Sequence, residues 1–193
     1  MSKAAMTQHL STCGQPSAPE EPESGPSFHL VVEARGAKQY WLHVAVPASA
    51  PLNKVDRFLR RTWLECCGHM SAFRIDGTEY ASTSTKPLNR ALDVGMKFFH
   101  EYDFGSTTEL VLTVVALRDQ GTPKNAVQLL ARNEPPQVVC GQCGERLATQ
   151  ICTECEWDDV VEFCETCAAT HPHDEMFLPL VNSPRAGVCG YVG

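Results

Sequence analysis

Eight residues in the last third of the chain offer the plainest chemistry: Cys140, Cys143, Cys152, Cys155, Cys164, Cys167, His171 and His173, spaced C-x2-C-x8-C-x2-C-x8-C-x2-C-x3-H-x-H. Six thiols and two imidazoles are soft or borderline donors, and eight of them complete two tetrahedral zinc sites with no position left over. A Cys-x-x-Cys pair suits this task because one tight turn lets both thiolates reach an ion at about 2.3 Å. Gly141 and Gly144 supply the backbone freedom for the first such turn. Saturated sites lack the open position that zinc catalysis uses, so the constellation points to two structural ions and to a binding protein, not an enzyme.

Which donors share an ion follows from helix geometry. Were Cys164 and His171 on one continuous helix, seven residues at about 1.5 Å rise would put them roughly 10 Å apart, too far for a single ion. An interleaved arrangement is therefore favoured, with Cys140, Cys143, Cys164 and Cys167 on one ion and Cys152, Cys155, His171 and His173 on the other. Sequential pairing is the alternative. The ligand string over about residues 140–173 resembles the cross-braced B-box and RING-like zinc modules, and that resemblance implies a protein-interaction platform.

The rest of the chain must carry this module. With 193 residues, 43% hydrophobic and 20% charged, it has room for one medium domain or two small ones. The longest apolar stretches, such as Leu110 to Leu117, fall far short of the roughly 20 residues that cross a bilayer, and no apolar signal segment opens the sequence. A cytoplasmic protein without membrane attachment is expected. In a reducing compartment its ten cysteines favour metal over disulfides. Charge is uneven: the first 133 residues hold 14 Lys and Arg against 13 Asp and Glu, the last 60 hold 2 against 10. Two zinc ions on six thiolates would bring the last segment to about −10, a surface that repels phosphate backbones.

Residues 1–27, with four prolines among Ser, Glu and Gly, read as a disordered tail. Alternation of Phe28, Leu30 and Val32, then a turn at 35–38 and a strand from Tyr40 to Val46, predicts a hairpin. Ser49 is placed to cap a helix on which Leu52, Val55, Phe58, Leu59, Thr62, Trp63 and Cys66 share a face, with Gly68 ending it. A second hairpin turns at Asp76-Gly77, residues 82–95 look like loop, and Phe98 to Phe104 with Leu110 to Leu117 make a third pair. The latter strand, apolar on both faces, is expected at the centre of the sheet, and Ala126 to Arg132 at its edge. The fold class is thus α+β: one antiparallel or mixed sheet packed by a single helix over 28–133, then, past Pro135-Pro136, a zinc-stabilised module over 134–193.

Tyr40-Trp41-Leu42-His43, Trp63-Leu64-Glu65-Cys66-Cys67-Gly68-His69, Phe73-Arg74-Ile75 with Tyr80, and Glu101-Tyr102-Asp103-Phe104-Gly105 together resemble a bacterial and archaeal family. It is named after the third open reading frame of a root-inducing plasmid, and its members are also labelled insertion-element passenger proteins. Some members are similar further, with a cysteine-rich extension closing on segments like Pro179 to Arg185 and Gly187 to Tyr191. The resemblance implies a prokaryotic mobile-element or defence setting and names little chemistry. Where many members follow Tyr-Asp-Phe-Gly with an acidic residue, Trp and His, this chain has Ser106 to Leu110.

Other residues have competing readings. His100, Glu101 and Asp103 suggest an acid–base cluster, but on a strand His100 faces away from the two carboxylates. Cys66, Cys67 and His69 could ligate a third metal, although adjacent cysteines at a helix end more often pack as small hydrophobes or stay free thiols. Cys189 could serve as a ligand, but a buried thiol in a folded-back tail is the favoured reading. Lys54, Arg57, Arg60 and Arg61 form a basic helix face that could touch nucleic acid, the alternative function, yet four charges on a nearly neutral domain make a weak footprint. Trp157, among Glu154, Glu156, Asp158 and Asp159, is the candidate partner-binding residue, an aromatic anchor for a basic or neutral protein segment. No small-molecule substrate is implied.

Overall fold

The computed structural model describes residues 2–12, 25–155, 161–173 and 175–193. The chain divides into two compact units, one made of residues 1–60 and 70–133, the other of 61–69 and 134–193. The first is a mixed α+β unit built on a large antiparallel sheet.

Strands β1 (Ser27–Ala34) and β2 (Ala37–Pro47) form the first hairpin, with Val32 opposite Leu42 and Glu33 opposite Trp41. Gly36 turns it at a φ of +83°, which a side chain would resist. Next come helix α2 (Leu52–Leu59), the hairpin of β3 (Ser71–Ile75) and β4 (Thr78–Ala81), the pair β5 (Lys97–Tyr102) and β6 (Thr108–Arg118), and β7 (Gln128–Arg132). The sheet order is β4-β3-β5-β6-β1-β2-β7, every pair antiparallel. β6 is central and β7 is an edge, as the hydrophobic pattern predicts. Full burial on β6 is nevertheless confined to Thr108, Leu110, Leu112 and Val114, every second residue, while β1 is buried along both faces.

α2 buries Leu52, Val55, Phe58 and Leu59, and with them Asp56. The Asp56 carboxylate accepts hydrogen bonds from Ser71 Oγ on β3 at 2.6 Å and His100 Nε2 on β5 at 2.8 Å, which seats the helix over those strands. The basic face beside it is partly engaged: Lys54 bonds the Asn125 carbonyl, Arg57 Nε the Asn53 carbonyl, and the Arg60 guanidinium lies 5.1 Å from the centre of the Tyr102 ring. His100, Glu101 and Asp103 do not converge. His100 is fully buried on Asp56, Glu101 pairs with Arg74 at 3.0 Å, and Asp103 Oδ1 accepts the Gly105 N–H at 3.1 Å.

Four local expectations are corrected. Residues 3–12 of the expected tail form helix α1 (Lys3–Thr12), which buries no side chain; a helix can satisfy its own backbone groups without a core, and Lys3 pairs with Glu33. Ser49 does not cap α2, whose N-cap position is Pro51, with no side-chain bond. The loop at 82–95 contains a 3-10 turn at Leu88–Arg90, anchored by the buried Leu88. The periodicity that suggested one helix to Cys66 changes at residue 60, where the coil widens to a π turn over Arg60–Leu64, and residues 61–69 leave to join the second unit.

Candidate metal centre

In the second unit, β8 (Gln150–Cys152) lies between β9 (Glu162–Phe163) and β10 (Phe177–Pro179) in a small antiparallel sheet, and α3 (Glu165–Ala168) follows β9. Strands this short cannot hold a core alone, and the buried cluster here is made mostly of cysteines: Cys140, Cys152, Cys155, Cys164 and Cys167 with Phe163 and Ala168.

The eight spaced donors separate into two sets. Cys140, Cys143, Cys164 and Cys167 bring their sulfurs within 4.8 Å of one another, and so do the donor atoms of Cys152, Cys155, His171 and His173. This is the interleaved grouping. Its cause is visible in the backbone: Cys164 is the N-cap of α3 and Cys167 sits in its single turn, then the helix stops at Ala168, and the chain bends so that both histidines reach the other set. The first knuckle closes through the Gly144 N–H to the Cys140 carbonyl at 2.8 Å, with Gly144 at a φ of +67°.

The spacings fit a tetrahedral ion. With metal–sulfur bonds of about 2.3 Å and metal–nitrogen bonds of about 2.0–2.1 Å, tetrahedral geometry puts sulfurs about 3.8 Å apart and sulfur about 3.5 Å from nitrogen. Cys143 Sγ lies 4.0 Å from Cys164 Sγ, Cys152 Sγ 3.6 Å from His173 Nδ1, and Cys155 Sγ 3.2 Å from His171 Nε2 and 3.4 Å from His173 Nδ1. No disulfide joins any of the described cysteines.

Surrounding groups prepare the thiols unequally. Backbone N–H bonds from Arg146 and Glu145 pull the Cys143 thiol down to about 6, which favours the thiolate a metal needs. At Cys140 burial works upward, but hydrogen bonds from the backbone of Cys143, Cys164 and Gln142 leave the thiol below its ordinary value. Burial, reinforced by the neighbouring sulfurs, pushes Cys167 up to about 12, so a cation is what would hold that group ionised. Arg146, hydrogen-bonded to Cys143 and close to the charge of Cys164, has its own value raised.

Two aromatic residues that spacing did not single out position His171. Phe163 lies 4.5 Å from its ring and Phe177 5.5 Å, centre to centre, and the two phenyl rings meet edge to face at 5.5 Å. Phe163 directly precedes Cys164, a signal available in the sequence. Trp157 lies outside the described residues.

A third set contains both minor candidates. Cys66, Cys67, His69 and Cys189 also bring their donor atoms within 4.8 Å. Cys67 and Cys189 are exposed, which corrects the reading of Cys189 as a buried thiol and leaves Cys67 an exposed free thiol, not a packed hydrophobe. The described residues therefore present three cysteine and histidine clusters compatible with metal binding. No helix among the described residues is long and apolar enough to cross a membrane.

No family model matches the chain, and no curated protein sequence matches it. Among solved structures, the crystal structure of a protein of unknown function from Methanosarcina mazei Go1 is similar, at 13% identity and a TM-score of 0.50 over 57% of this chain and 70% of that one. That likeness concerns the fold alone.

Proposed function

We propose that the cysteine-rich unit is a zinc-stabilised, non-catalytic module through which the chain binds another protein as an adaptor. The observation that supports this reading most is the division of eight donors into two complete sets of four. Soft sulfur and imidazole donors in tetrahedral spacing select zinc over harder cations, and four protein ligands leave no site for a substrate or an activated water. The acidic surplus of the last 60 residues, 10 Asp and Glu against 2 Lys and Arg, disfavours a phosphate backbone and suits a basic or neutral protein segment, with Trp157 as anchor. The prokaryotic mobile-element or defence setting, and the cytoplasmic location, are what the sequence resemblance and composition imply.

The test has two arms on the full chain. In cobalt-loaded protein, Cys164→Ser with Cys167→Ser should abolish the four-thiolate spectrum and leave the two-cysteine, two-histidine signature; a retained four-thiolate spectrum would overturn the grouping. Binding to basic peptides and to duplex DNA is then compared between about 50 and 200 mM salt, where phosphate contacts lose affinity steeply. Trp157→Ala should weaken peptide binding several-fold with metal content unchanged. Tighter binding of DNA than of any peptide would replace the adaptor reading with a nucleic-acid one.

A further inference from the structure

We propose that Cys66, Cys67, His69 and Cys189 form a third zinc site, distinct from the two in the spaced motif, that fastens residues 61–69 to the C-terminal segment within the second unit. Cys66 Sγ lies 3.8 Å from Cys67 Sγ, and Cys67 Sγ 3.7 Å from Cys189 Sγ, matching the roughly 3.8 Å edge of a zinc–thiolate tetrahedron. His69 Nε2 lies 3.0 Å from Cys67 Sγ and 3.2 Å from Cys189 Sγ, a little inside the roughly 3.5 Å sulfur–nitrogen edge. Sulfurs at 3.7–3.8 Å are well beyond the roughly 2.05 Å of a disulfide, so a shared ion explains the convergence better than a bond. Three thiolates and one imidazole select zinc among abundant divalent cations.

The backbone around the site is shaped to deliver these donors. Gly68, at a φ of +82°, reverses the chain between Cys67 and His69, and its N–H is held by Glu65 Oε1 at 2.6 Å. Cys189 itself sits at a φ of +50°, the left-handed region that residues with side chains rarely adopt, between Gly187 at +80° and Gly190 at +67°. The Tyr191 N–H closes this turn on the Val188 carbonyl at 3.0 Å, and the turn presents the Cys189 side chain toward Cys67.

Charge gives an independent argument. Zinc on three thiolates and a neutral histidine carries −1, and beside it Arg185, 0% exposed, directs Nη2 at Cys66 Sγ from 3.5 Å. A negatively charged zinc–thiolate centre is a favourable neighbour for a buried guanidinium, whose hydrogen bond would orient the Cys66 thiolate. Ser183 completes the fastening: its Oγ donates to the Trp63 carbonyl at 2.7 Å and accepts the Arg185 N–H at 2.9 Å. The Arg185 segment is thus tied to the turn that leads into Cys66.

The site is the most exposed of the three, so its ion should be the first a chelator removes. Elemental analysis of the full chain should find three zinc ions, and Cys189→Ser should hold two. His69→Cys should keep three and add a second four-thiolate signature in the cobalt form, which decides the matter should Cys189→Ser fail to fold. Cys140→Ser with Cys143→Ser should lose one ion and retain the other two, separating this site from the spaced motif. Two ions in the wild type with an unchanged count in Cys189→Ser, or His69→Cys without added thiolate signal, would overturn the proposal.

Discussion

The sheet of the first unit and the cluster around the eight spaced donors are built from different material. In the sheet unit most fully buried side chains are large and apolar: Leu30, Leu42, Leu52, Leu59, Phe73, Phe98 and Leu110 are each 0% exposed. At about 25 cal/mol per Å² of apolar surface, such a core can offset the entropy of ordering its strands. Around the eight spaced donors the buried cluster is instead five cysteines with one phenylalanine and one alanine, and the strands run to three residues at most. That cluster has little hydrocarbon of its own, and the proposed zinc ions would supply the cross-links that stabilise it. A cysteine can therefore be core material in both senses, apolar when neutral and cross-linking when ionised, and only its neighbours decide which.

The largest effect should come from removing metal. Structural zinc contributes on the order of 10 kcal/mol or more per site to small zinc-dependent folds, so a strong chelator should unfold residues 140–173 outright. Amide hydrogen exchange read by segment is the measurement: protection should vanish there and persist in β1, β2, β5 and β6. Protection lost across both units together would break the comparison and show that the sheet depends on the metal module.

An intermediate effect is expected from the polar contact buried in the sheet unit. Asp56 accepts from both Ser71 and His100, each almost fully buried, so Asp56→Ala strands two polar groups at once. A cost of about 2–4 kcal/mol is expected in denaturant unfolding of the sheet, with zinc content unchanged. A change in metal content with no loss of sheet stability would mean that Asp56 serves the other unit.

What the sequence disclosed follows from how local each signal is. Alternation over 28–46, the Asp76-Gly77 turn and the apolar run at 110–117 are short-range patterns, and each became a strand or hairpin in the expected place. The spacing of the eight donors is also local, and the separation of Cys164 from His171 along a helix was enough to favour interleaving. The meeting of Cys189 with Cys67 spans 122 residues, and no periodicity encodes a contact that distant. The same limit hid the transfer of residues 61–69 to the second unit, because helical spacing continued through a coil that widened only at Arg60. Helix α1 was missed for the opposite reason: composition argues against a core, and this helix has none.

The smallest expected effect is a pH response confined to the sheet. His29 Nε2 lies 3.0 Å from His43 Nδ1, so one ring donates and the other accepts, and the contact is lost once both rings are protonated. Burial, then the charges of His43 and Arg118, push His29 down to about 4; burial also lowers His43, against a hydrogen bond to the Lys3 backbone that raises it. Unfolded histidines titrate near 6.5, so between about 6.5 and 4 the unfolded chain binds more protons than the folded one. The stabilisation is therefore complete above about pH 6.5, falls as pH drops through that window, and levels off below it. Its size should be about 1–2 kcal/mol, less than about 1.36 kcal/mol per unit over the full shift would give, because water screens part of the interaction. Measuring denaturant unfolding of chelator-treated protein from pH 7 to 5 isolates the sheet, since the zinc sites lose metal to protons over the same range. His29→Gln keeps a donor for His43 but cannot titrate, so it should flatten most of the slope. An unchanged slope in that variant would assign the acid sensitivity to other groups and leave the histidine pair a purely structural contact.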